Sequence, residues 1–418
     1  MKREPIPVPV RAQLSDRSSA YFFQLVEIIG RHHEPTKTQL EALESSYRGT
    51  GEYLSECDEF AGVLLQVHAH GSRQLGTLIR PMDDAREGFD IDLIARLDRS
   101  AMGKYGGDNG PALLLNQLHA ALNRYAETHR LRIQRWERCI TLEYAGGMCA
   151  DIAPVIDDPL WSVPYGETHG RVPDRELRNY QPTNPRGYAT HFNMAASISP
   201  VFTVDERVVY ASDSLTKAEI SPLPDAQQVF ERLLCRLVQL LKLHRNVAFG
   251  GIDGDADMAP TSIFITTLAA AAYAVEAPKP HASPLDLLLD IVETMPRYFT
   301  RLPGAAGTEE WYLPNPSAPH DNLASGMNSR ERQAAFAWWY QRLSADLQNI
   351  LDGIEHRAGA DQIGKLVESA FGKRAARAIQ QDQLQRYNTS RQAGKVAIVT
   401  SLATPITVNA RQHTFFGA

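Results

Sequence analysis

Residues 89–97 read FDIDLIARL, and the alternation within this stretch decides the fold. Side chains alternate faces along a β-strand, so Asp90 and Asp92 project together while Ile91 and Leu93 point into a core. Two adjacent carboxylates repel and are costly to desolvate. Such a pair persists where it is exposed or where cations neutralise it. Downstream, Asp151 lies in CADIAPVI (149–156), again an acid inside an apolar, strand-like run. Three acids on neighbouring strands suit two hard divalent cations about 3.5–4 Å apart. A charged sheet edge is the competing interpretation, and for Asp90 and Asp92 alone it is the simpler one.

Upstream lies HGSRQLGT (70–77), directly after the short strand-like run GVLLQVHAH (62–70). Glycine lets a phosphate approach the backbone, and a hydroxyl with turn N–H groups can hold phosphate oxygens. A Gly-Ser by itself is an ordinary turn. Gly71-Ser72 ahead of a strand-borne Asp-x-Asp, with a third acid on a later strand, is a specific combination.

Around these segments the chain reads as a sheet-bearing first half and a helical second half. Residues 15–33 and 36–56 form two helices joined at Pro35, with Thr36-Lys37-Thr38-Gln39 as a capping box. Residues 80–88 are a polar loop and 110–128 a helix. Residues 131–145 and 148–156 are a strand pair turning at Gly146-Gly147. In 228–248, Phe230, Leu233, Leu234, Leu237, Leu240 and Leu241 recur at helical spacing. Further helices begin near Pro260, Pro284 and Asn328. Residues 373–395 are basic, with Lys373, Arg374, Arg377, Arg386, Arg391 and Lys395 against Asp382.

The 418 residues, 43% of them hydrophobic, are enough for two lobes. A net charge of −6 argues against a bulk cationic field for nucleic acid, although a local basic groove is compatible with it. Cys57, Cys139, Cys149 and Cys235 show no ligand spacing and read as reduced thiols of a cytosolic protein. The N-terminal MKREPIPVPVRAQ lacks the apolar segment of a signal peptide, and no run of about 18 apolar residues exists. A soluble cytoplasmic protein is the expectation.

HGSRQLGT, FDIDLIARLD and CADIAPVI resemble the three active-site segments of the polymerase-β-like nucleotidyltransferase superfamily. More narrowly, the chain resembles the bacterial cGAS/DncV-like nucleotidyltransferases (CD-NTases), which make cyclic oligonucleotide signals in the antiphage CBASS systems. VPDRELRNYQPTNPRGYATHF (172–192), RLVQLLKLHRNVAF (236–249), TSIFITTLAA (261–270) and WYLPNPSAPHDNLA (311–324) extend the resemblance. It implies an α+β fold: a mixed central sheet flanked by helices, a helical C-terminal lobe, and an active site in the cleft between them. The expected division is 1–215 for the core lobe, 216–400 for the helical lobe and 401–418 for a tail.

The resemblance further implies that Asp90, Asp92 and Asp151 are catalytic and hold two Mg²⁺ ions, with Mn²⁺ as a substitute. Gly71 and Ser72 would hold a donor triphosphate, and Lys242 would reach its terminal phosphates. Ser262, near a helix start marked by Pro260, is a phosphate contact, a simple N-cap, or both at once. His70 is either close to the nucleotide or a satisfied buried histidine. Asn322 falls in a segment that borders the base in relatives. Arg245 is undecided, and Arg186 is either an acceptor-phosphate contact or a loop brace.

The expected reaction joins NTPs, ATP among them, into a cyclic di- or trinucleotide with release of pyrophosphate. The alternative is a linear oligonucleotide synthase, or an enzyme modifying an RNA or protein acceptor, because one scaffold hosts several acceptors. A non-catalytic scaffold would have no need to keep the three acids. Sensing of double-stranded DNA is not expected, since no Cys/His cluster with zinc-ligand spacing is present. Two partners are considered besides the NTPs: a peptide-binding regulator, and a ubiquitin-like conjugating enzyme acting on Ala418, at the end of Phe415-Phe416-Gly417-Ala418. A frayed terminus is the ordinary alternative for that tail.

Overall fold

A computed structural model describes residues 16–80, 89–144, 147–176, 178–203, 233–250, 256–304, 307–392, 395–398 and 406–409. The expectations for the N-terminal thirteen residues, for most of the 80–88 loop, for Gly146, for Phe230 and for the tail ending at Ala418 lie outside the described residues.

The chain begins with α1 (Asp16–His33), α2 (Lys37–Glu56), β1 (Leu64–His70) and the single turn α3 (Gly71–Leu75). Next come β2 (Asp90–Leu97), a short α4 (Met102–Tyr105) and α5 (Gly110–His129). The strands β3 (Arg132–Arg135), β4 (Ile140–Glu143), β5 (Cys149–Asp157), β6 (Gly170–Asp174) and β7 (Asn179–Thr183) lead to α6 (Pro185–Ala196). After β8 (Val201–Phe202) follow α7 (Leu233–Phe249), α8 (Ser262–Glu276), β9 (Pro280–His281) and α9 (Pro284–Thr294). The hairpin β10 (Thr300–Pro303) and β11 (Glu309–Tyr312) precedes α10 (Arg330–Glu355) and α11 (Ala360–Gln392), and β12 (Lys395–Ile398) and β13 (Ile406–Asn409) close the described chain.

These elements divide into two units. One comprises residues 34–195 and 299–328, the other 1–33, 196–298 and 329–418. The division therefore differs from a sequential break at residue 215. Long-range contacts that sequence spacing does not report are the reason. Helix α1 buries Phe22, Phe23, Leu25, Val26 and Ile29. Its Glu27 accepts from the buried Arg236 of α7, with Nε 3.1 Å from Oε1. Gly30 keeps the crossing close, because a Cβ there would overlap the Arg236 side chain. The 299–328 segment belongs to the sheet unit through Asn184, whose Nδ2 donates to the carbonyl of Ser317 at 2.6 Å. The Ser317 hydroxyl donates back to the Asn184 carbonyl at 3.3 Å.

In the sheet unit the central order is β1-β2-β5-β4-β3, with β6 and β7 continuing from the end of β5. The β2–β5 pair is parallel and the other pairs are antiparallel, so the sheet is mixed as expected. One face carries Ile91, Leu93, Ala95 and Leu97 of β2 with Ala150, Ile152 and Ile156 of β5. These pack with Leu114, Leu118, Ala121, Leu122 and Tyr125 of α5 and with Leu43 and Leu54 of α2. The α5 residues recur at three- and four-residue spacing, which gives the helix a continuous apolar stripe for the sheet. The capping box of α2 forms: Gln39 N–H donates to Thr36 Oγ1 at 3.3 Å, and Thr36 N–H donates to Gln39 Oε1 at 2.9 Å.

The stretch 131–145 is not one strand. It is the β3–β4 hairpin, and the Trp136 N–H donates to the Cys139 carbonyl across its turn. The turn sequence Trp-Glu-Arg-Cys has none of the Gly, Pro or Asn residues that mark turns. In the helical unit α7 packs against both α8 and α11, and α11 breaks direction at Gly372, whose φ is 86°.

Candidate functional site

Register places the acids. Asp92 of β2 pairs directly with Asp151 of β5. Asp92 also pairs with His70 of β1, and Asp151 with Thr141 of β4. Directly paired residues share a face, so His70, Asp92, Asp151 and Thr141 form one row across four strands. Asp90, two residues before Asp92, lies on the same face in the next row, opposite Cys149. The hydrophobic core lies on the opposite face. Asp90 is exposed and Asp92 and Asp151 are half-buried.

The same face changes character along the strands. Past the acids it carries the small apolar cluster Ile94, Val155 and Val172. Beyond that, Arg96 and Asp157 form a two-pronged ion pair at 2.7 and 2.6 Å. The far carboxylate is thus neutralised by a guanidinium. Asp151 has no basic partner of this kind among the described residues.

Gly71 begins α3 with φ +55°, a left-handed conformation that favours glycine. A Cβ at this position would overlap Asp92 Oδ2 and lie 2.8 Å from its Cγ. The absent side chain is what lets the turn close onto the acid. Ser72 follows on the same turn, and the chain leaves it through the left-handed Gly76 (φ 70°), with the Thr77 N–H donating to the Ser72 carbonyl at 2.9 Å. The first N–H groups of such a turn have no acceptor within it.

His70 precedes this turn. Burial, aided by neighbouring His68, lowers its pKa to about 4, so the imidazole is neutral near pH 7. Its Nδ1 is buried and has no hydrogen-bond partner among the described residues. It is therefore not the satisfied buried histidine weighed above. Arg186 donates to Gln66 Oε1 at 2.7 Å, from the start of α6. Gln66 and His68 alternate onto the acid-bearing face of β1.

Three residues of the acidic face carry no signal in the sequence. Thr141 donates its hydroxyl to Asp151 Oδ1. Trp136 Nε1 donates to Thr141 Oγ1 at 2.8 Å. Burial pushes the Cys139 thiol up to about 12, and the charges of Asp151 and Asp92 add to the effect, so the thiol stays protonated. Strand register, once known, is the only cue that would have picked out Thr141 and Cys139.

The donor set is made of carboxylate oxygens, the type that hard divalent cations prefer. Among the described residues no three His, Cys, Asp or Glu side chains converge tightly enough to form a ready metal cage. The grouping of Asp90, Asp92 and Asp151 rests on register and shared face.

Residues 24–195 match the family model described as Second Messenger Oligonucleotide or Dinucleotide Synthetase domain (SMODS), a span containing all three acids and the Gly-Ser turn. The chain is 26% identical over 333 residues to a c-di-GMP synthase of Roseivirga ehrenbergii, covering 78% of this chain and 79% of the relative. It is 25% identical over 372 residues to the cyclic dinucleotide synthase CdnG of Bradyrhizobium diazoefficiens, covering 82% and 80%. The solved structure of that CdnG, a CD-NTase in complex with GTP, superposes with a TM-score of 0.60 at 20% identity over 88% of this chain and 100% of that one.

This chain is similar to the CD-NTases.

The solved structure of CdnC of E. coli MS115-1, in a complex with HORMA-deltaN, shares the fold at a TM-score of 0.52 and 12% identity, over 85% and 97% of the two chains. The remaining residues expected at the site fall as follows. Lys242 is buried on α7 of the helical unit. In the same unit Ser262 is the first residue of α8, and the N-cap is Thr261, which accepts from the Phe264 N–H at 3.4 Å. The simple N-cap role for Ser262 is thus taken by its neighbour. Arg245 donates to Ser262 Oγ at 3.0 Å and to the Pro260 carbonyl at 2.6 Å, and burial lowers its pKa to about 10. Arg245 therefore braces the start of α8.

Asn322 lies in the sheet unit but is committed to the backbone. Its Oδ1 accepts from the N–H groups of Leu313 and Ala324, both at 2.9 Å, and its Nδ2 donates to the Trp311 carbonyl at 2.9 Å. Both lone pairs of the amide oxygen are thereby used. The structure makes Asn322 a brace of the 311–324 loop. Among the described residues no helix is long and apolar enough to cross a membrane.

Proposed function

We propose that this chain is a CD-NTase that joins nucleoside triphosphates into a cyclic di- or trinucleotide second messenger, releasing pyrophosphate, in CBASS antiphage defence. The observation that carries the proposal is the pairing of Asp92 with Asp151, with Asp90 on the same face and the Gly71-Ser72 turn closed against Asp92. Asp90, Asp92 and Asp151 are the residues proposed to hold two Mg²⁺ ions, for which Mn²⁺ can substitute. When bound, these ions screen the triphosphate and lower the pKa of the attacking ribose hydroxyl.

In each bond-forming step a ribose oxygen attacks the α-phosphorus and the bond to pyrophosphate breaks. The hydroxyl proton passes to solvent. Gly71 leaves room for phosphate at the backbone, and the Ser72 hydroxyl and the free N–H groups of the turn donate to its oxygens. His70 is proposed to meet the nucleotide with its unpartnered imidazole nitrogen. Lys242 and Ser262 are proposed as further triphosphate contacts on the strength of the sequence resemblance. Placement and electrostatic stabilisation are what the protein contributes.

The curated relatives are a c-di-GMP synthase and a protein solved with GTP, so GTP is tested beside ATP. A peptide-binding regulator is proposed as a partner of this chain, CdnC having been solved in a complex with HORMA-deltaN, and so is a cytoplasmic location, where the NTPs are. The experiment is incubation of the purified protein with α-labelled NTPs, singly and in pairs, followed by phosphatase and linkage-specific nuclease. A phosphatase-resistant product supports cyclisation. A phosphatase-sensitive ladder would assign a linear synthase instead.

A further inference from the structure

The β3–β4 hairpin delivers two side chains to Asp151 in sequence. Trp136, at the start of the hairpin turn and 48% exposed, donates its indole N–H to Thr141 Oγ1 at 2.8 Å. Thr141 is the direct register partner of Asp151 and is hydrogen-bonded to its Oδ1. The chemistry of the groups fixes the direction of both bonds. An indole N–H can only donate, so the threonine oxygen must accept from it. A threonine hydroxyl has a single proton, and Asp151 as a carboxylate can only accept it.

We infer that Thr141 is a positioning residue for Asp151, with Trp136 holding the threonine hydroxyl in the orientation that donates to the carboxylate. One lone pair of Oδ1 is then taken by the protein, and the carboxylate plane is set before any cation arrives. The other oxygen and the second lone pair of Oδ1 are left for a metal ion. Carboxylates that ligate metals are generally oriented by hydrogen bonds of this kind, and losing such a partner costs about 10–100-fold in metal affinity or activity. The inference rests on the assignment of Asp151 as a metal-holding carboxylate.

Thr141→Val removes the hydroxyl at nearly constant volume and suits a strand. Thr141→Ser restores the hydroxyl. Trp136→Phe removes only the donor to it. The readouts are the Kd for Mn²⁺ by electron paramagnetic resonance without nucleotide, and the Mg²⁺ concentration giving half-maximal pyrophosphate release. Thr141→Val is expected to weaken Mn²⁺ binding about 10-fold or more and to raise the Mg²⁺ requirement, with activity recovering as Mg²⁺ is increased. Thr141→Ser is expected near wild type, and Trp136→Phe to show a smaller loss of the same sign. A purely structural role for Thr141 would not be relieved by added Mg²⁺.

Wild-type Mn²⁺ affinity and Mg²⁺ requirement in Thr141→Val, alongside their loss in Asp151→Asn, would overturn the inference and leave the site assignment intact. Wild-type behaviour in Asp151→Asn would instead overturn the site assignment itself. If Thr141→Val does not fold, Trp136→Phe decides, and an unchanged Kd there overturns the relay.

Discussion

Asp92 and Asp151 are direct partners across the parallel β2–β5 pair, although 58 residues separate them in the chain. Parallel pairing brings the two strands in with the same polarity and register, so an Asp-x-Asp on one strand and a single Asp on the other share a face. The hydrophobic residues on both sides of each acid fix that register. A slip of one residue would bury every acid and expose Ile91, Leu93, Ala150 and Ile152.

Gly71→Ala is expected to separate catalysis from folding. The left-handed φ of +55° costs an alanine about 1–2 kcal/mol, which a denaturation curve reads. The new Cβ also overlaps the Asp92 carboxylate and must displace it. Misplacement on that scale costs roughly 100-fold in rate, to be measured as pyrophosphate release. A variant with wild-type turnover would show that the contact between the turn and Asp92 is incidental.

Asn322→Ala distinguishes a brace from a base contact. The amide joins three backbone groups of the 311–324 loop. Its loss is expected to cost about 2 kcal/mol of stability. The KM for each NTP should stay unchanged for protein that remains folded. A raised KM with unaltered stability would restore Asn322 to the nucleotide site.

The pH dependence follows from histidines that are partly or fully buried. His68, His70, His119, His191 and His244 all have their pKa lowered from 6.5, with burial the first cause in each. His244 shows how one is held neutral: Trp339 Nε1 donates to its Nδ1 at 3.0 Å, which leaves the Nε2 proton to donate to Asp346 at 3.1 Å. Because the unfolded chain takes up protons first as pH falls through 6.5, stability is complete above 6.5 and declines below it. Denaturation curves from pH 8 to pH 5 should show this fall. A flat profile would mean that these imidazoles are not desolvated.

Much of the acidic site was legible because charge inside an apolar alternating run is costly, so Asp90, Asp92 and Asp151 stand out in the sequence. The Thr36–Gln39 capping box was legible because both partners lie within one turn. Thr141 was not, since a threonine in a strand is unremarkable until register sets it opposite Asp151. The β3–β4 turn was hidden by its lack of turn residues. The placement of α1 and of 299–328 was hidden because Glu27–Arg236 and Asn184–Ser317 are contacts between segments remote in sequence. Asn322 read as a base contact because the sequence does not show which backbone groups its amide meets.

The most direct test of the acidic centre is pyrophosphate release from NTPs by the Asp90→Asn, Asp92→Asn double variant, compared with wild type under saturating Mg²⁺. The substitutions keep the shape of both side chains and remove the charge, so the expected result is a folded protein with no release above background. Wild-type turnover in that variant would contradict the assignment of these aspartates as the metal-holding, catalytic residues.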